Sequence, residues 1–424
     1  MNKNIYNTYT NILKVELISA LGCTEPIAIA FAGAKVREVL GNMPNSVVVK
    51  CSGNIVKNVK GVIVPNSGGL KGIDVAATLG VIAGNVNKNL EVLSDITEED
   101  IEIAKNLINN NFCKCELIEG EENLQIIIDA IDEKNIATVE IKSSHTHISK
   151  IIKNGKLIFV DECLNINVED INRDLLNIKD IYEYANMVNI DDIQNIIDNQ
   201  INLNYKIAKE GIINDYGAKV GKTILNSYDS NDVRVRAKAM AAAGSDARMG
   251  GALMPVVINS GSGNQGITVS VPVIEYAKEL NVSHEKLLRA LVLSNLIAIL
   301  QKKYIGKLSA FCGAVSAGTA AAAGISFLYG GTFEDISNTI INAIANIGGI
   351  ICDGAKSSCA AKIASSVEGG ILGFILSNNV GQAFKQGEGI VQDNVDDTIK
   401  SIGKIAKEGM KSTDIEILNI MIGK

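Results

Sequence analysis

The sequence predicts an α+β protein: a large, mainly α-helical domain with an inserted, smaller α+β domain that carries a mostly antiparallel sheet. Two observations lead to this fold class. Residues 1–45 and 168–424 have apolar spacing typical of helices, whereas residues 46–167 contain several short runs rich in β-branched side chains. Because the helical parts flank the strand-rich part, we expect one discontinuous helical domain, 1–45 plus 168–424, into which 46–167 is inserted.

The composition is typical of a soluble globular protein and argues against a nucleic-acid surface. The 424 residues are 47% hydrophobic and 21% charged, with a net charge of −7, no tryptophan and only 4% aromatic residues. The first residues lack the apolar core of a signal peptide, so we expect a cytoplasmic protein whose eight cysteines are free or bind a metal. Residues 308–332 are uncharged but mostly small, which predicts a buried core helix and no membrane span.

The first segment predicts two helices separated by a short turn. Residues 7–20 have helical apolar spacing, and a second helix begins at Cys23-Thr24-Glu25-Pro26. Thr24 is expected to cap this helix, with Glu25 and Pro26 in its first turn. Cys23 then lies at a helix N-terminus, where the dipole favours an anion and lowers the pKa of a thiol. A packed turn cysteine is the alternative.

The inserted part predicts a sheet with two helices. Residues 75–83 and 97–110 have helical patterns. Residues 66–72 form a glycine-rich loop, which either binds an anion with its backbone N–H groups or is a plain strand-to-helix turn. The predicted strands are 46–51, 61–65, 113–118, 125–130, 136–141, 148–152 and 156–160.

Two short patterns in the sheet region offer metal ligands. Cys113 and Cys115 share a strand face, but no second pair lies nearby, so we expect a structural role. His145 and His147 also share a face and could bind a metal. A polar loop or edge strand is the favoured interpretation of the histidines, and a role at an active site between the domains is the other alternative.

The remainder predicts helices joined by polar loops. His284 lies in the first turn of one helix and is expected at the surface, and residues 245–251 read as a loop. Residues 259–266 include five Gly or Ser and two Asn, so they offer hydrogen-bond donors with little bulk and suit the carboxylate of a small zwitterion. The predicted helices are 191–197, 205–225, 232–243, 283–304, 332–345, 393–411 and 413–422.

Three cysteines, Cys312, Cys352 and Cys359, lie in one region rich in small residues. Their spacing, C-x39-C-x6-C, is too wide for a zinc ribbon, which needs closely paired cysteines. Three thiolates can hold three irons of a cubane cluster and leave the fourth iron open to substrate. The alternative is three buried cysteines that pack as small hydrophobic residues.

Three short motifs have distinctive sequences: Gly-Cys-Thr-Glu-Pro at 22–26, Asn-Ser-Gly-Ser-Gly-Asn-Gln-Gly at 259–266 and Cys-Asp-Gly-Ala-Lys-Ser-Ser-Cys at 352–359. Together they resemble the L-cysteine desulfidase family, which is related to the alpha part of the iron–sulfur L-serine dehydratases. The resemblance implies a [4Fe–4S] cluster with three protein ligands and one open iron, and Cys23 as the base that removes the α-proton. The implied cluster ligands are Cys312, Cys352 and Cys359, and the implied substrate-binding residues are Asn259, Ser260, Gly261, Ser262, Gly263 and Asn264.

The reaction implied by the resemblance is β-elimination from L-cysteine, which gives pyruvate, ammonia and hydrogen sulfide. Three alternatives stay open: an L-serine dehydratase with the same cluster, a pyridoxal-phosphate lyase, and a non-catalytic iron–sulfur sensor with Cys23 or Cys163 as a fourth ligand. The partner is then a small amino acid, with no nucleic acid and no membrane, and a homo-oligomer is compatible with the sequence. We expect the sheet domain to close over the site with the loops 66–72 and 143–147.

Overall fold

The computed structural model describes residues 1–120, 122–161, 171–306 and 308–424. The helices within them are α1 (Lys3–Glu16), α2 (Thr24–Leu40), α3 (Gly53–Val59), α4 (Ile73–Ala83), α5 (Glu98–Asn109), α6 (Ile178–Met187), α7 (Ile190–Ile213), α8 (Val220–Ser227), α9 (Val233–Met249), α10 (Gly263–Glu279), α11 (His284–Ile305), α12 (Gly313–Leu328), α13 (Phe333–Ile347), α14 (Cys359–Val380), α15 (Val395–Lys404) and α16 (Lys411–Ile422). The strands are β1 (Ser19–Leu21), β2 (Ser46–Ser52), β3 (Cys113–Ile118), β4 (Gln125–Ile131), β5 (Ile136–Lys142), β6 (Ile148–Lys153), β7 (Lys156–Val160) and β8 (Pro255–Val257).

Six strands form one mixed sheet in the order β3-β2-β4-β5-β6-β7. Only β2 and β3 are parallel, so the prediction of a mostly antiparallel sheet is confirmed. Six of the seven predicted strands are present, since their β-branched alternation is a local signal. The strand predicted at 61–65 is wrong: an isolated bridge joins Ile63 to Lys71, and Pro65 has no N–H group with which to continue a ladder.

Helices α2 and α4 cover one face of this sheet. Val49, Ile128 and Val139 on three neighbouring strands are completely buried beneath them. The sequence assigns α2 to the helical domain, but in the structure it packs on β4, β5 and α4. The α+β class is therefore borne out, whereas the division of the chain at residues 45 and 167 stays a prediction.

Helix α12 lies at the centre of the helical part, in contact with α10, α11, α13 and α14. Every residue from Ala314 to Leu328 is buried, which small side chains permit because neighbouring backbones approach closely. The core helix predicted at 308–332 is present but shorter. Helix α14 is long and apolar enough to cross a membrane by composition alone, yet 56% of its most apolar window is buried inside the protein. That burial is typical of a core helix.

Three predictions about the helical part need correction. The helix predicted at 205–225 is interrupted, because α7 ends at Ile213 and α8 begins only at Val220. The gap predicted at 198–204 is part of the continuous helix α7, because Gln200 and Asn204 are buried there and hydrogen-bonded to the side chain of Asn295 and to the backbone of Val257. The loop predicted at 245–251 is instead mostly the last turns of α9, which ends at Met249. The polar residues Ser245, Asp246 and Arg248 are typical of an exposed loop, but in the structure they are buried within the helix.

Candidate active site

A small cavity of about 100 Å³ lies between α2 and α3 on the sheet side and the helical part of the chain. The N-termini of four helices line it: α2, α10, α12 and α14, represented by Cys23, Ser262, Cys312 and Cys359. Backbone N–H groups in the first turn of a helix have no intrahelical partner and carry positive partial charge. The backbone alone therefore makes this cavity favourable for anions.

A short backbone pairing holds two of the cysteines side by side. Phe311 and Ile351 form an antiparallel bridge. The N–H of Cys312 donates to the carbonyl of Ile350 at 3.0 Å, and the N–H of Cys352 donates to the carbonyl of Ala310 at 2.6 Å. The chain segments before α12 and after α13 thus meet at the cavity, although 39 residues separate the two cysteines in the sequence.

The third cysteine reaches the same cavity from the start of α14. The thiol of Cys359 lies 3.7 Å from the carbonyl oxygen of Gly354. The Cys312 thiol donates a hydrogen bond to Cys352, which lowers the pKa of Cys352 despite its burial, with help from the Lys57 ammonium group. The pKa of Cys312 is raised for the same reason, by its hydrogen bond to Cys352 and by burial.

Ammonium groups surround the three thiols. Burial lowers the pKa of Lys302 to about 8, although the thiols of Cys352 and Cys312 favour its charged form. Lys362 and Lys356 both pair with Asp353, which follows Cys352 directly. Positive charge at the thiols stabilises their thiolate forms, which are the forms that bind metals.

On the opposite side of the cavity, Cys23 and Glu25 form a buried hydrogen-bonded pair. The Cys23 thiol donates to Oε2 of Glu25 at 3.1 Å, and Thr24 donates to the same oxygen at 3.1 Å. Asn58 on α3 donates to Oε1 of Glu25 at 3.3 Å. Nε2 of His145 lies 3.9 Å from Oε1 and makes no hydrogen bond within the described residues.

The expected low pKa of Cys23 is wrong for this arrangement. The N-cap of α2 is Cys23 and not Thr24 as the sequence predicts, because Thr24 is already helical and its hydroxyl bonds to Glu25 and Gly261 instead of capping the helix, so the helix begins one residue earlier than predicted. However, burial and the neighbouring Glu25 carboxylate raise the pKa of the Cys23 thiol well above its ordinary value, and the guanidinium of Arg248 offsets this only in part. The free site therefore holds a neutral thiol.

Glu25 behaves in the opposite way. Burial raises the pKa of its carboxyl, but the side chains of His145 and Cys23 outweigh burial and lower that pKa to about 2. Glu25 is therefore ionised at neutral pH, and it is the hydrogen-bond acceptor around which Cys23, Asn58 and Thr24 converge. Glu25 lies in the first turn of α2 as the sequence predicts, but no pattern in the sequence indicates its role as an acceptor.

The loop 259–266 lines the cavity as one wall, with Ser260, Gly261, Ser262 and Asn264 among its lining residues. Gly261 accepts a hydrogen bond of 2.9 Å from Thr24 Oγ1 through its carbonyl. Two other residues proposed for substrate binding do not line the cavity. The Asn259 amide donates to Asn295 Oδ1 at 2.9 Å, and Gly263 forms the first turn of α10.

The β1–β8 ladder joins the segment that precedes Cys23 to the segment that precedes the loop 259–266. Ser19–Leu21 pairs with Pro255–Val257, so the segments that lead into Cys23 and into the loop 259–266 run antiparallel. The sequence analysis predicted neither strand. Each has only three residues, which is too short for an alternation pattern to be recognised.

Arg248 is the principal residue that the sequence analysis missed. It lies at the end of α9, is 3% exposed and lines the cavity. Nη1 donates to Oδ1 of Asn264 at 3.1 Å, whereas Nε has no hydrogen-bond partner and Arg248 forms no ion pair within the described residues. A buried guanidinium without a carboxylate partner is costly, so its retention indicates a site for an anionic ligand.

Other residues considered from the sequence lie outside the cavity. The ring of His147 is hydrogen-bonded to the carbonyl oxygen of Lys142 and to the carboxylate of Asp161. His284 pairs with Asp198 at the surface, as predicted. The loop 66–72 does not line the cavity. His145 does line it, so the loop 143–147 reaches the site as expected and the loop 66–72 does not. Cys163 lies outside the described residues.

In the described part of the chain, no three His, Cys, Asp or Glu side chains converge on a single metal ion. This does not conflict with a cubane, because each thiolate of such a cluster binds a different iron and the three thiols need not meet at one point. What the structure establishes is narrower: Cys312, Cys352 and Cys359 line one cavity, close to several ammonium groups.

Comparison with known proteins agrees with the resemblance. Residues 87–419 match the family described as "Serine dehydratase alpha chain". A UPF0597 protein of Lachnoclostridium phytofermentans is 52% identical over 99% of this chain and 100% of its own length. A UPF0597 protein of Finegoldia magna is also 52% identical, over 98% of this chain and 99% of its own length. A UPF0597 protein of Treponema denticola is 43% identical over 100% of this chain and 99% of its own. The chain therefore belongs to the serine dehydratase alpha chain family, together with these UPF0597 proteins.

Proposed function

We propose that this protein is a cytoplasmic β-eliminating lyase, and specifically an L-cysteine desulfidase that converts L-cysteine to pyruvate, ammonia and hydrogen sulfide. Family membership indicates a lyase-type enzyme. The observation that carries the proposal of a β-eliminating site is the meeting of four helix N-termini, three thiols and the buried Arg248 at one cavity, and the choice of L-cysteine rests on the resemblance of the motifs. At about 100 Å³ the cavity is smaller than the pockets of about 300–1,000 Å³ that hold drug-sized ligands, and it suits a small amino acid.

The substrate carboxylate has a ready partner in Arg248. A guanidinium binds a carboxylate through two parallel hydrogen bonds, and Arg248 lines the cavity without an ion pair to any of the described residues. The N-terminus of α10 lies beside it, with Ser262 as the cap. Both features would fix the carboxylate on the wall formed by the loop 259–266, as the sequence analysis predicts for that loop.

The thiols fit the [4Fe–4S] cluster that the resemblance implies. Cys312, Cys352 and Cys359 would hold it, and the ammonium groups of Lys302, Lys57 and Lys362 would offset the negative charge of the thiolates. When bound, such a cluster supplies an open iron that acts as a Lewis acid toward the leaving group. The side chains of the protein would carry out the remaining steps, which are substrate binding and proton transfer.

The α-proton would be taken by the Cys23–Glu25 pair. Because the Cys23 thiol is protonated in the free site, it would have to lose its proton before it acts as a base. Glu25, whose carboxyl pKa is about 2, orients the thiol through the hydrogen bond to Oε2 and is too weak a base to accept that proton. His145, with Nε2 3.9 Å from the other carboxylate oxygen, would help to keep Glu25 ionised. Burial of the pair keeps bulk water from competing for the proton.

L-Serine is the second candidate substrate, and the family description favours it. The same side chains would bind either amino acid, since only the leaving group differs. Hydrogen sulfide as product identifies the desulfidase, whereas pyruvate formed from L-serine without sulfide identifies the dehydratase.

The test is anaerobic purification or reconstitution, followed by iron and sulfide analysis and by assays with L-cysteine and L-serine in parallel. We expect iron bound to the protein and sulfide released from L-cysteine with equimolar pyruvate. Turnover that requires added pyridoxal phosphate and no iron would support a pyridoxal-phosphate lyase. Bound iron with no turnover of either amino acid would support a non-catalytic iron–sulfur protein.

A further inference from the structure

A buried ion pair joins the C-terminal helix α16 to α3. Lys57 on α3 has a side chain that is only 1% exposed, and its ammonium group pairs with Asp414 on α16. Asn54, one turn earlier on α3, donates to the other oxygen of Asp414 at 2.8 Å. Within the described residues, Asp414 is the carboxylate that compensates the buried charge of Lys57.

Lys57 also contacts the loop that carries the cysteines. Gly354 has a φ of +95°, and a Cβ at this position would lie 2.2 Å from the carbonyl oxygen of Lys57, so the loop 352–359 passes directly against α3. The Lys57 ammonium group is close enough to Cys352 to act on its thiol electrostatically. Asn58, the next residue, donates to Glu25. Helix α3 therefore contacts both the cysteine side and the Cys23–Glu25 side of the cavity.

Helix α16 has few other attachments. It packs mainly on α3 and on the turn Ile405–Gly409 that precedes it, and Ile417 is its one buried residue. Ile415 and Ile420 are 53% and 76% exposed. Leu418 lies against Gly53, and Met421 accepts a hydrogen bond from Lys60, so these contacts also lead to α3. In the fold, α16 therefore covers α3 and forms an ion pair and hydrogen bonds with its side chains.

We propose that α16 is a strap that positions the candidate active site, with Asp414 as the positioning residue. Asp414 holds the Lys57 ammonium group beside Cys352, and the same contact fixes α3 and therefore Asn58 on Glu25. The inference deepens the proposed function, since it concerns the same cavity and rests on that cavity being the active site. It assigns a role to a residue 55 positions after Cys359, the last candidate ligand in the sequence.

The test compares Asp414→Asn, which removes the charge at nearly constant volume, with Asp414→Glu, which keeps it. Glu416→Gln on the exposed side of α16 is the matched control. Amide hydrogen exchange of 53–59 and 352–359, iron content per chain, and kcat and KM are measured for each protein. We expect Asp414→Asn to accelerate exchange in both segments by about tenfold or more. Its kcat should fall by about 10–100-fold with little change in KM, because misplacement affects the reacting groups more than binding.

Asp414→Glu and Glu416→Gln should resemble the wild type. The double variant Lys57→Met/Asp414→Asn, which leaves no unpaired charge, should fold normally and still show the low kcat. The proposal is overturned if 53–59 and 352–359 exchange at wild-type rates in Asp414→Asn, or if the double variant regains full kcat, since the pair would then serve stability alone. If the wild type turns over neither amino acid, the proposed function fails, and exchange and iron content still decide the role of the strap.

Discussion

Replacing Arg248 by Met should weaken substrate binding strongly without destabilising the protein. A hydrogen bond to a charged group contributes about 1.5–3 kcal/mol, so a two-point contact with a carboxylate contributes about 3 kcal/mol or more. Since about 1.4 kcal/mol corresponds to a factor of ten, KM for L-cysteine should rise by about 100-fold or more in Arg248→Met. The hydrogen bond to Asn264 is the one that the free protein loses.

Whereas Arg248→Met should weaken substrate binding, it should not lower the stability of the free protein. Arg248 is buried and has no ion pair within the described residues, so Met in its place removes a desolvated charge from the interior. The melting temperature of the protein should therefore stay constant or rise, while the thermal stabilisation by added L-cysteine disappears. Most substitutions of buried residues lower the melting temperature, so the combination separates a binding residue from a packing residue.

Two further variants sharpen the assay. Arg248→Lys keeps the charge but not the fork of donors, and should give an intermediate KM. Arg234→Met, on the same helix, removes an exposed arginine that pairs with Asp232 and should leave KM unchanged. A KM within about twofold of the wild type in Arg248→Met, together with a lower melting temperature, would refute the reasoning. The carboxylate would then have to bind elsewhere on the loop 259–266.

Two other predictions follow from the same cavity, and a third concerns Asp246, a buried residue of α9 that is not among the residues lining it. Replacing Cys312, Cys352 or Cys359 by Ala should each remove the iron and the activity together, and a variant with full iron content would not have lost a ligand. Cys23→Ser should keep the iron but lose about 10²–10⁴-fold in turnover, the usual contribution of a general base, whereas loss of iron would make Cys23 a ligand. Burial raises the pKa of Asp246 to about 6, so the folded state binds more protons than the unfolded state between the ordinary carboxyl pKa and about 6. The free energy of unfolding should therefore fall across this range by up to about 3 kcal/mol, and equal pH profiles for Asp246→Asn and the wild type in urea would contradict this.

The sheet could be predicted from the sequence because its signals are local. Each of the strands β2 to β7 is a run of five to seven residues whose apolar, β-branched or alternating pattern is visible in the sequence, and the structure places them within a residue or two of the prediction. The helical part was harder. Gln200 and Asn204 are polar but buried, so they interrupt the apolar pattern without interrupting α7. The packing of α2 on the sheet depends on tertiary contacts that no local pattern contains.

The candidate site divides in the same way. The motifs identified the cysteines and the loop 259–266, because short sequences with distinctive residues carry a resemblance even at large separation. Arg248 and Lys302 have no such signal: one lies in a stretch that reads as a loop and the other near the end of a long helix. Their importance comes from burial beside a cavity, which becomes visible only when the chain is folded.

Cys23 shows how burial can reverse an electrostatic argument made from position. The helix dipole contributes only about 0.3–1 kcal/mol in favour of a thiolate, which is less than one pKa unit. Burial and the Glu25 carboxylate act in the other direction on the same thiol, and together they outweigh the dipole and Arg248. The empty site therefore does not contain a preformed Cys23 thiolate. If Cys23 is the base, its proton must leave when the substrate ammonium group enters the cavity and weakens the repulsion from Glu25. Deprotonation of Cys23 would then be coupled to substrate binding, and an empty cavity would hold no reactive thiolate.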